Sequence, residues 1–146
     1  MIIKRDVYLD ILKSKMNNGM IKIITGLRRC GKSFLLFKLF YDYLRSIGIP
    51  DKQIIRIALD DEEFFDCRRP DILYKYIKDR ITKKNKQYFV FIDEAQYAIS
   101  KKEMRDHDTP LGLYDVLNSM LHYENVDTYV TGSNSRFLSS DIITEF

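Results

Sequence analysis

The chain has 146 residues, a common size for one domain and long enough to bury a single hydrophobic core. Hydrophobic residues make up 45% and charged residues 31%, which argues against disorder, and no apolar run approaches the roughly 20 residues of a membrane-spanning helix. The formal charge of +3 permits contact with nucleic acid without requiring it. No secretory signal is visible, and Cys30 and Cys67 have neither a metal-ligand spacing nor a disulfide framework, so we expect a cytoplasmic protein.

Helices and strands are predicted to alternate along the chain. A first helix is expected to stop near Asn17-Asn18-Gly19, a third to open at Pro70 and a fourth to end near Leu121. Residues 100–110 are charged and lack periodicity, which predicts a surface loop. The buried stripe of the second helix is predicted at Leu36, Leu39, Phe40, Tyr43 and Ile47. Four apolar runs predict strands: Ile21–Thr25, Ile54–Leu59, Tyr88–Ile92 and Thr128–Thr131.

This order of elements predicts the fold class. Strands that alternate with helices, and that are almost wholly apolar, are typical of a parallel sheet covered by helices on both faces. We therefore expect one α/β domain of three layers. Sheets of this kind bind ligands at the carboxyl ends of their strands, where the polar motifs of this chain also fall.

The segment after the first strand fits the pattern G-x-x-x-x-G-K-S and reads Gly26-Leu27-Arg28-Arg29-Cys30-Gly31-Lys32-Ser33. Its glycines let backbone N–H groups turn toward a phosphate, and the following helix presents its positive N-terminus. Lys32 can place its charge on the β- and γ-phosphates, and the Ser33 hydroxyl can bind Mg²⁺. The sequence therefore predicts a Mg·ATP site whose nucleotide-binding residues run from Gly26 to Phe34.

Two arginines within this loop leave alternatives open. Arg28 and Arg29 can contact phosphates or nucleic acid, or they can form surface ion pairs with Asp60 or Asp61. Cys30 is expected only to fill a small position in the loop.

Two adjacent carboxylates follow the third predicted strand. Asp93 can hold Mg²⁺ through water, and Glu94 can polarise a water molecule aimed at the γ-phosphate. We therefore predict ATP hydrolysis, with Lys32 and Glu94 as catalytic residues and Ser33 and Asp93 at the metal. Gln96 can orient water, and it can equally be an ordinary polar residue at the start of a helix.

The fourth predicted strand is followed by Thr131-Gly132-Ser133-Asn134-Ser135. If this strand lies between the first and third strands, Ser133 or Asn134 would lie beside the γ-phosphate as a sensing group. The alternative is that these residues only form a turn.

These three segments together resemble those of prokaryotic AAA-type P-loop ATPases. The resemblance is closer to a group in which the ATPase domain precedes a C-terminal domain with a restriction-endonuclease-like fold. It rests on G-x-R-R-x-G-K-S, on Ile92-Asp93-Glu94-Ala95-Gln96 and on Thr131-Gly132-Ser133-Asn134-Ser135, and it covers nearly the whole chain.

The resemblance implies an additional-strand sheet in the order 5-1-4-3-2, ATP hydrolysis, and homo-oligomers in which one subunit supplies an arginine to another. It also implies a further strand, a helical lid and a C-terminal domain beyond Ile142-Ile143-Thr144-Glu145-Phe146. We therefore expect residues 1–146 to be the N-terminal ATPase core of a longer protein, without the fifth strand, the lid and the C-terminal domain.

Two other functions fit the same motifs. Asp93-Glu94-Ala95-Gln96 also resembles the acidic motif of helicases, which would make the chain a nucleic-acid-stimulated motor, although one short domain lacks a second motor lobe. A nucleotide switch that holds ATP without hydrolysing it is the non-enzymatic alternative, and Glu94 argues against it. The expected ligands are ATP and ADP with Mg²⁺, and no membrane is expected as a partner.

Overall fold

The computed structural model describes residues 2–24, 29–105, 112–132 and 143–145. Its centre is a parallel sheet made of β1 (Ile21–Ile24), β2 (Ile54–Ala58), β3 (Tyr88–Asp93), β4 (Val126–Thr131) and β5 (Ile143–Glu145). The strands lie in the order β2-β3-β4-β1-β5, and every neighbouring pair is parallel. The predicted α/β fold and the predicted strand order are therefore confirmed.

The expectation that the fifth strand is missing is wrong. β5 pairs with β1, with Ile143 opposite Ile21 and Glu145 opposite Ile23. The run Ile142-Ile143-Thr144 is β-branched, which favours extended structure, and without β5 the strand β1 would be an edge with unpaired backbone groups. These few residues are enough to cover that edge.

Helices cover both faces of the sheet. One face packs against α1 (Ile2–Ser14), α3 (Tyr41–Ser46) and the helical turn between α2 (Arg29–Phe34) and α3, and the other packs against α4 (Pro70–Arg80) and α6 (Gly112–Leu121). Short 3₁₀ helices lie at Asp51–Gln53, Glu62–Arg68 and Ala95–Ala98. None of the helices in the described ranges is long and apolar enough to cross a membrane.

A π-helical turn, Leu35–Phe40, joins α2 to α3. Within it the Phe40 ring lies 4.8 Å from the Tyr129 ring and 5.7 Å from the Phe91 ring, centroid to centroid. The wider turn changes which residues of the helix face the sheet. Leu44 is therefore buried, whereas Ile47, which the sequence placed on the buried stripe, is 49% exposed.

The predicted loop at 100–110 is wrong in its first half, because Lys101–Arg105 forms helix α5. The Ser100 hydroxyl accepts a hydrogen bond from the Glu103 N–H at 3.1 Å, and the Glu103 carboxylate accepts one from the Ser100 N–H at 2.8 Å. This reciprocal capping box stabilises a helix too short to show apolar periodicity. Glu103 also accepts a hydrogen bond from the Gly112 N–H, which links α5 to the start of α6.

A buried ion pair lies on the face that α1 to α3 cover. Lys22 on β1 pairs with Asp127 on β4, and their side chains are 0% and 3% exposed. The other Asp127 oxygen accepts hydrogen bonds from the Asn17 N–H at 2.9 Å and from the Tyr129 hydroxyl at 2.6 Å. Burial lowers the pKa of Lys22 and raises that of Tyr129 above its usual range. The carboxylate thus joins β1, β4 and the turn after α1.

We predict that Asp127→Asn reduces the free energy of unfolding by about 3 kcal/mol, since it keeps the hydrogen bonds to Asn17 and Tyr129 but leaves the Lys22 ammonium buried and unpaired. The double variant Lys22→Met/Asp127→Asn should recover part of this loss. Urea unfolding measures the free energy of unfolding of both variants. Asp71→Asn serves as the control, because it removes an ion pair with Arg69 whose side chains are 66% and 72% exposed. A single variant as stable as the parent would contradict the prediction.

Candidate functional site

The polar residues predicted to bind nucleotide meet where α2 begins and where β3 and β4 end. Lys32 and Ser33 lie on α2, Asp93 is the last residue of β3, and Thr131 is the last residue of β4. Side chains alternate along a strand, so the face occupied by Phe89 and Phe91 also receives Asp93. That face is covered by Leu35–Phe40, which continues α2, and Ser33 near the end of α2 reaches the Asp93 carboxylate.

Two hydroxyl groups hold the Asp93 carboxylate. Ser33 donates to one oxygen at 2.6 Å, and Thr131 donates to the other at 2.6 Å. Asp93 is 4% exposed, and this burial raises the pKa of its carboxyl group; the charges of Glu94 and Asp60 raise it further, while the two hydroxyl hydrogen bonds oppose the shift. An ionised carboxylate at this position is therefore costly unless a cation binds beside it.

Lys32 is 2% exposed, and its ammonium group donates to the Gly132 carbonyl at 3.2 Å. No carboxylate in the described part of the chain forms an ion pair with it. A buried ammonium whose hydrogen-bond acceptor among the described residues is a neutral carbonyl favours an anion nearby. The phosphates of a nucleotide fit this requirement.

The backbone of Glu94 is in the left-handed region, with φ 54° and ψ 52°, which is uncommon for a residue other than glycine. Its N–H donates to the Thr131 hydroxyl at 2.9 Å, and the same hydroxyl donates to Asp93. Thr131 therefore holds both acidic residues at once. Glu94 is only 2% exposed, and one of its carboxylate oxygens accepts a hydrogen bond from the Gln96 amide at 3.2 Å.

Ser33 and Asp93 are the residues that would hold Mg²⁺. The described ranges contain no group of three or more His, Cys, Asp or Glu side chains that could bind a metal by themselves. Mg²⁺ is usually held by one or two carboxylates, with phosphate oxygens and water completing the coordination. One carboxylate beside one hydroxyl, close to a buried ammonium, fits a metal that arrives with a nucleotide.

Among the predicted site residues, the structure places the Ser33 hydroxyl against Asp93, which Glu94 follows in the chain, and the Lys32 ammonium against Gly132, the residue after Thr131. Gly31 lies within α2, and Phe34 at its end is 38% exposed. Arg29 and Cys30 are the first two residues of α2. The remaining predicted site residues lie outside the described ranges: Gly26, Leu27, Arg28, Ser133 and Asn134.

Sequence reasoning missed the role of Thr131, which it treated only as the end of a strand. The available signal was the position of Thr131. It is a polar residue at the end of a buried strand, on the same face of the sheet as Asp93 at the end of β3. The Gly132 N–H also donates to the Ile24 carbonyl at 3.4 Å, so the end of β4 lies beside the end of β1.

The fold and this arrangement of lysine, serine and aspartate are those of P-loop nucleotide-binding proteins. A family described as an AAA domain matches residues 18–146, which is most of the chain. The chain belongs to that AAA family. The family match does not reach the finer group that the sequence resembles, so its restriction-endonuclease-like C-terminal domain stays an expectation.

Two longer relatives match almost the whole chain. An uncharacterized protein of Haemophilus influenzae is 27% identical over 143 residues, which cover 98% of this chain and 32% of that protein. An uncharacterized protein of Methanocaldococcus jannaschii is 28% identical over 147 residues, which cover 98% of this chain and 26% of that protein. The chain thus spans a third or less of these relatives.

Two solved structures share the fold. Drosophila ORC bound to GC-rich DNA and Cdc6 superposes with a TM-score of 0.58 at 11% identity, over 98% of this chain and 54% of that one. C. elegans PCH-2 superposes with a TM-score of 0.56 at 18% identity, over 87% of this chain and 35% of that one. At these identities the likeness concerns the fold alone.

We predict that Asp93→Asn raises Tm in the absence of metal and nucleotide. The raised pKa of Asp93 means that its folded form holds the proton more tightly than its unfolded form does. Stability is therefore lost as pH rises from the ordinary aspartate pKa through the raised one, and the variant escapes this loss. An asparagine can still accept from one hydroxyl and donate to the other.

Thermal unfolding from pH 4 to pH 8, with and without Mg·ATP, measures this effect. The variant should show a flatter pH dependence of Tm and a smaller stabilisation by Mg·ATP than the parent. Asp115→Asn, at an exposed position on α6, is the control. A lower Tm for Asp93→Asn without metal would refute the argument.

Proposed function

We propose that this chain is the ATPase core of a longer protein, which binds Mg·ATP, hydrolyses it and thereby moves an attached domain or partner. One observation carries the proposal: the Ser33 hydroxyl donates to the Asp93 carboxylate at 2.6 Å, and the buried Lys32 ammonium donates to Gly132, the residue after the Thr131 that also holds Asp93. The AAA family of the chain supports ATP as the nucleotide.

Each side chain of the site has a distinct task in this proposal. The Lys32 ammonium binds the β- and γ-phosphates, and Ser33 and Asp93 hold Mg²⁺. Mg²⁺ held there would neutralise negative charge that develops on the phosphate oxygens. Glu94 orients the attacking water and accepts its proton, while Thr131 keeps Glu94 and Asp93 at a fixed separation through its two hydrogen bonds.

The task of responding to the γ-phosphate is proposed for Ser133 or Asn134. They are the first and second residues after Gly132, whose carbonyl accepts the hydrogen bond from Lys32. A shift of the Lys32 ammonium toward a phosphate would therefore weaken its hydrogen bond to the residue that precedes Ser133. The length of the relatives supports an attached part that such a shift could move.

Lys32→Ala should weaken Mg·ATP binding by on the order of 100-fold, since it removes a charged contact to the phosphates. Isothermal titration calorimetry with Mg·ATP and Mg·ADP measures the affinity. Lys38→Ala is the matched control, because Lys38 lies on the same helical segment with its side chain 62% exposed. Unchanged affinity in Lys32→Ala would remove the basis for this site.

Glu94→Gln should leave Mg·ATP affinity nearly unchanged and reduce phosphate release by about 10²- to 10⁴-fold, since an amide cannot accept the proton of the attacking water. A phosphate-release assay on the calorimetry samples tests this. Equal release by parent and variant would favour a switch that does not use Glu94. Stimulation of the parent by single-stranded DNA would favour the nucleic-acid-dependent motor.

A further inference from the structure

Gln96 lies two residues beyond Glu94, in the short 3₁₀ helix Ala95–Ala98. Its Nε2 donates to Glu94 Oε1 at 3.2 Å. Its own Oε1 is buried, and nothing in the described ranges donates a hydrogen bond to it. The Gln96 N–H₂ group therefore holds the Glu94 carboxylate, whereas the Gln96 carbonyl oxygen has no hydrogen-bond donor in the described part of the chain.

The orientation of this amide follows from chemistry. Because Gln96 Nε2 donates to Glu94 Oε1, the N–H₂ group is the part of the amide that contacts Glu94. The carbonyl oxygen is then the part of the amide that is left to accept a hydrogen bond. A buried carbonyl without a donor is unfavourable, so a donor that arrives from outside the protein would be bound there.

The backbone around Gln96 is fixed. The Tyr97 N–H donates to the Glu94 carbonyl at 3.1 Å, and the Ile99 N–H donates to the Gln96 carbonyl at 3.0 Å. Ala95 and Ala98, on either side, are 0% and 2% exposed and belong to the hydrophobic core. The amide is thus held on a packed element, as a group that must orient another molecule requires.

We propose that Gln96 is a positioning residue for the water that attacks ATP: its N–H₂ group holds the Glu94 carboxylate, and its Oε1 accepts a hydrogen bond from that water. This inference rests on the proposed ATPase function. A water molecule has two O–H groups. One would donate to Glu94 and the other to Gln96, so the positions of both hydrogens would be fixed. The lone pair of the water oxygen is then free to point at the γ-phosphorus.

The step balances with the groups named. The water oxygen forms a bond to the γ-phosphorus while the bond from that phosphorus to the β–γ bridging oxygen breaks. ADP leaves with the electron pair of the broken bond, and the proton of the water passes to Glu94. Gln96 gains and loses no proton, so it acts only through the direction that it gives to the water and to Glu94.

Gln96→Leu removes both halves of the amide at nearly the same volume. We expect kcat to fall about 10- to 100-fold, while the KM for ATP and the Kd for Mg·ADP stay within about threefold. Tm should not fall, because the buried carbonyl is removed as well. Gln96→Glu keeps an acceptor but loses the donor to Glu94, so its kcat should also be low.

Gln87→Leu is the matched control. Gln87 is also partly buried, and its amide donates to the backbone, at the opposite end of β3 from Asp93. In the double variant Glu94→Gln/Gln96→Leu, kcat should fall little below that of Glu94→Gln alone, since Gln96 acts through Glu94. If the reductions in kcat of the two single variants multiplied in the double variant, the proposal would be contradicted. A Gln96→Leu variant with both a lower Tm and a lower ATP affinity would also contradict it.

A second measurement does not depend on turnover. The side-chain N–H₂ resonance of Gln96 in the ¹⁵N-labelled chain, assigned by its loss in Gln96→Leu, should shift in Glu94→Ala. An unshifted resonance would overturn the hydrogen bond on which the role depends.

Phosphate release by the parent with an unchanged kcat in Gln96→Leu overturns the positioning role alone. A parent that binds Mg·ATP and releases no phosphate overturns the proposed hydrolysis and the positioning role with it.

Discussion

The buried carboxylate of Asp93, held between two hydroxyl groups, connects three separate parts of the chain. Ser33 belongs to the helix after the phosphate-binding segment, Asp93 ends β3 and Thr131 ends β4. A carboxylate in this position cannot be stabilised by solvent, so its two hydrogen bonds have to be maintained for as long as the site is empty of cations. The relative position of α2, β3 and β4 depends on that requirement.

β4 carries a buried polar cluster near each of its ends. Near its start, Asp127 pairs with Lys22 of β1; at its last residue, Thr131 contacts Asp93 and Glu94. Between them lies Tyr129, packed against Phe40 at 4.8 Å. Because such polar pairs tolerate little displacement, β4 cannot slide along β1 or β3 by a residue without breaking both clusters.

Much of the fold could be predicted from the sequence, because buried parallel strands are continuous apolar runs and the phosphate-binding motif places itself between a strand and a helix. Short elements were missed. The pairing that makes β5 a strand comes from β1, and the capping box that starts α5 comprises only Ser100 and Glu103. The π-helical turn was also missed, because it depends on how Phe40 packs against a sheet that a periodicity argument does not see.

For the site, the motifs were sufficient to predict that Ser33 and Asp93 lie together, since one follows the phosphate-binding segment and the other ends a neighbouring strand. The hydroxyl of Thr131 and the amide of Gln96 were harder to interpret. Their roles depend on which strand lies beside which, and on a left-handed residue that turns the chain after β3. The catalytic and sensing roles of individual residues are still predictions.

The left-handed backbone of Glu94 has a consequence for laboratory evolution. Glycine adopts φ 54° without strain, whereas any residue with a Cβ pays for it. Replacement by glycine would also remove a buried carboxylate. Selection for thermal stability alone would therefore enrich the Glu94→Gly variant. That variant would have a higher Tm but would lack the proposed catalytic base. Screens for robust versions of this domain need to score turnover beside melting temperature.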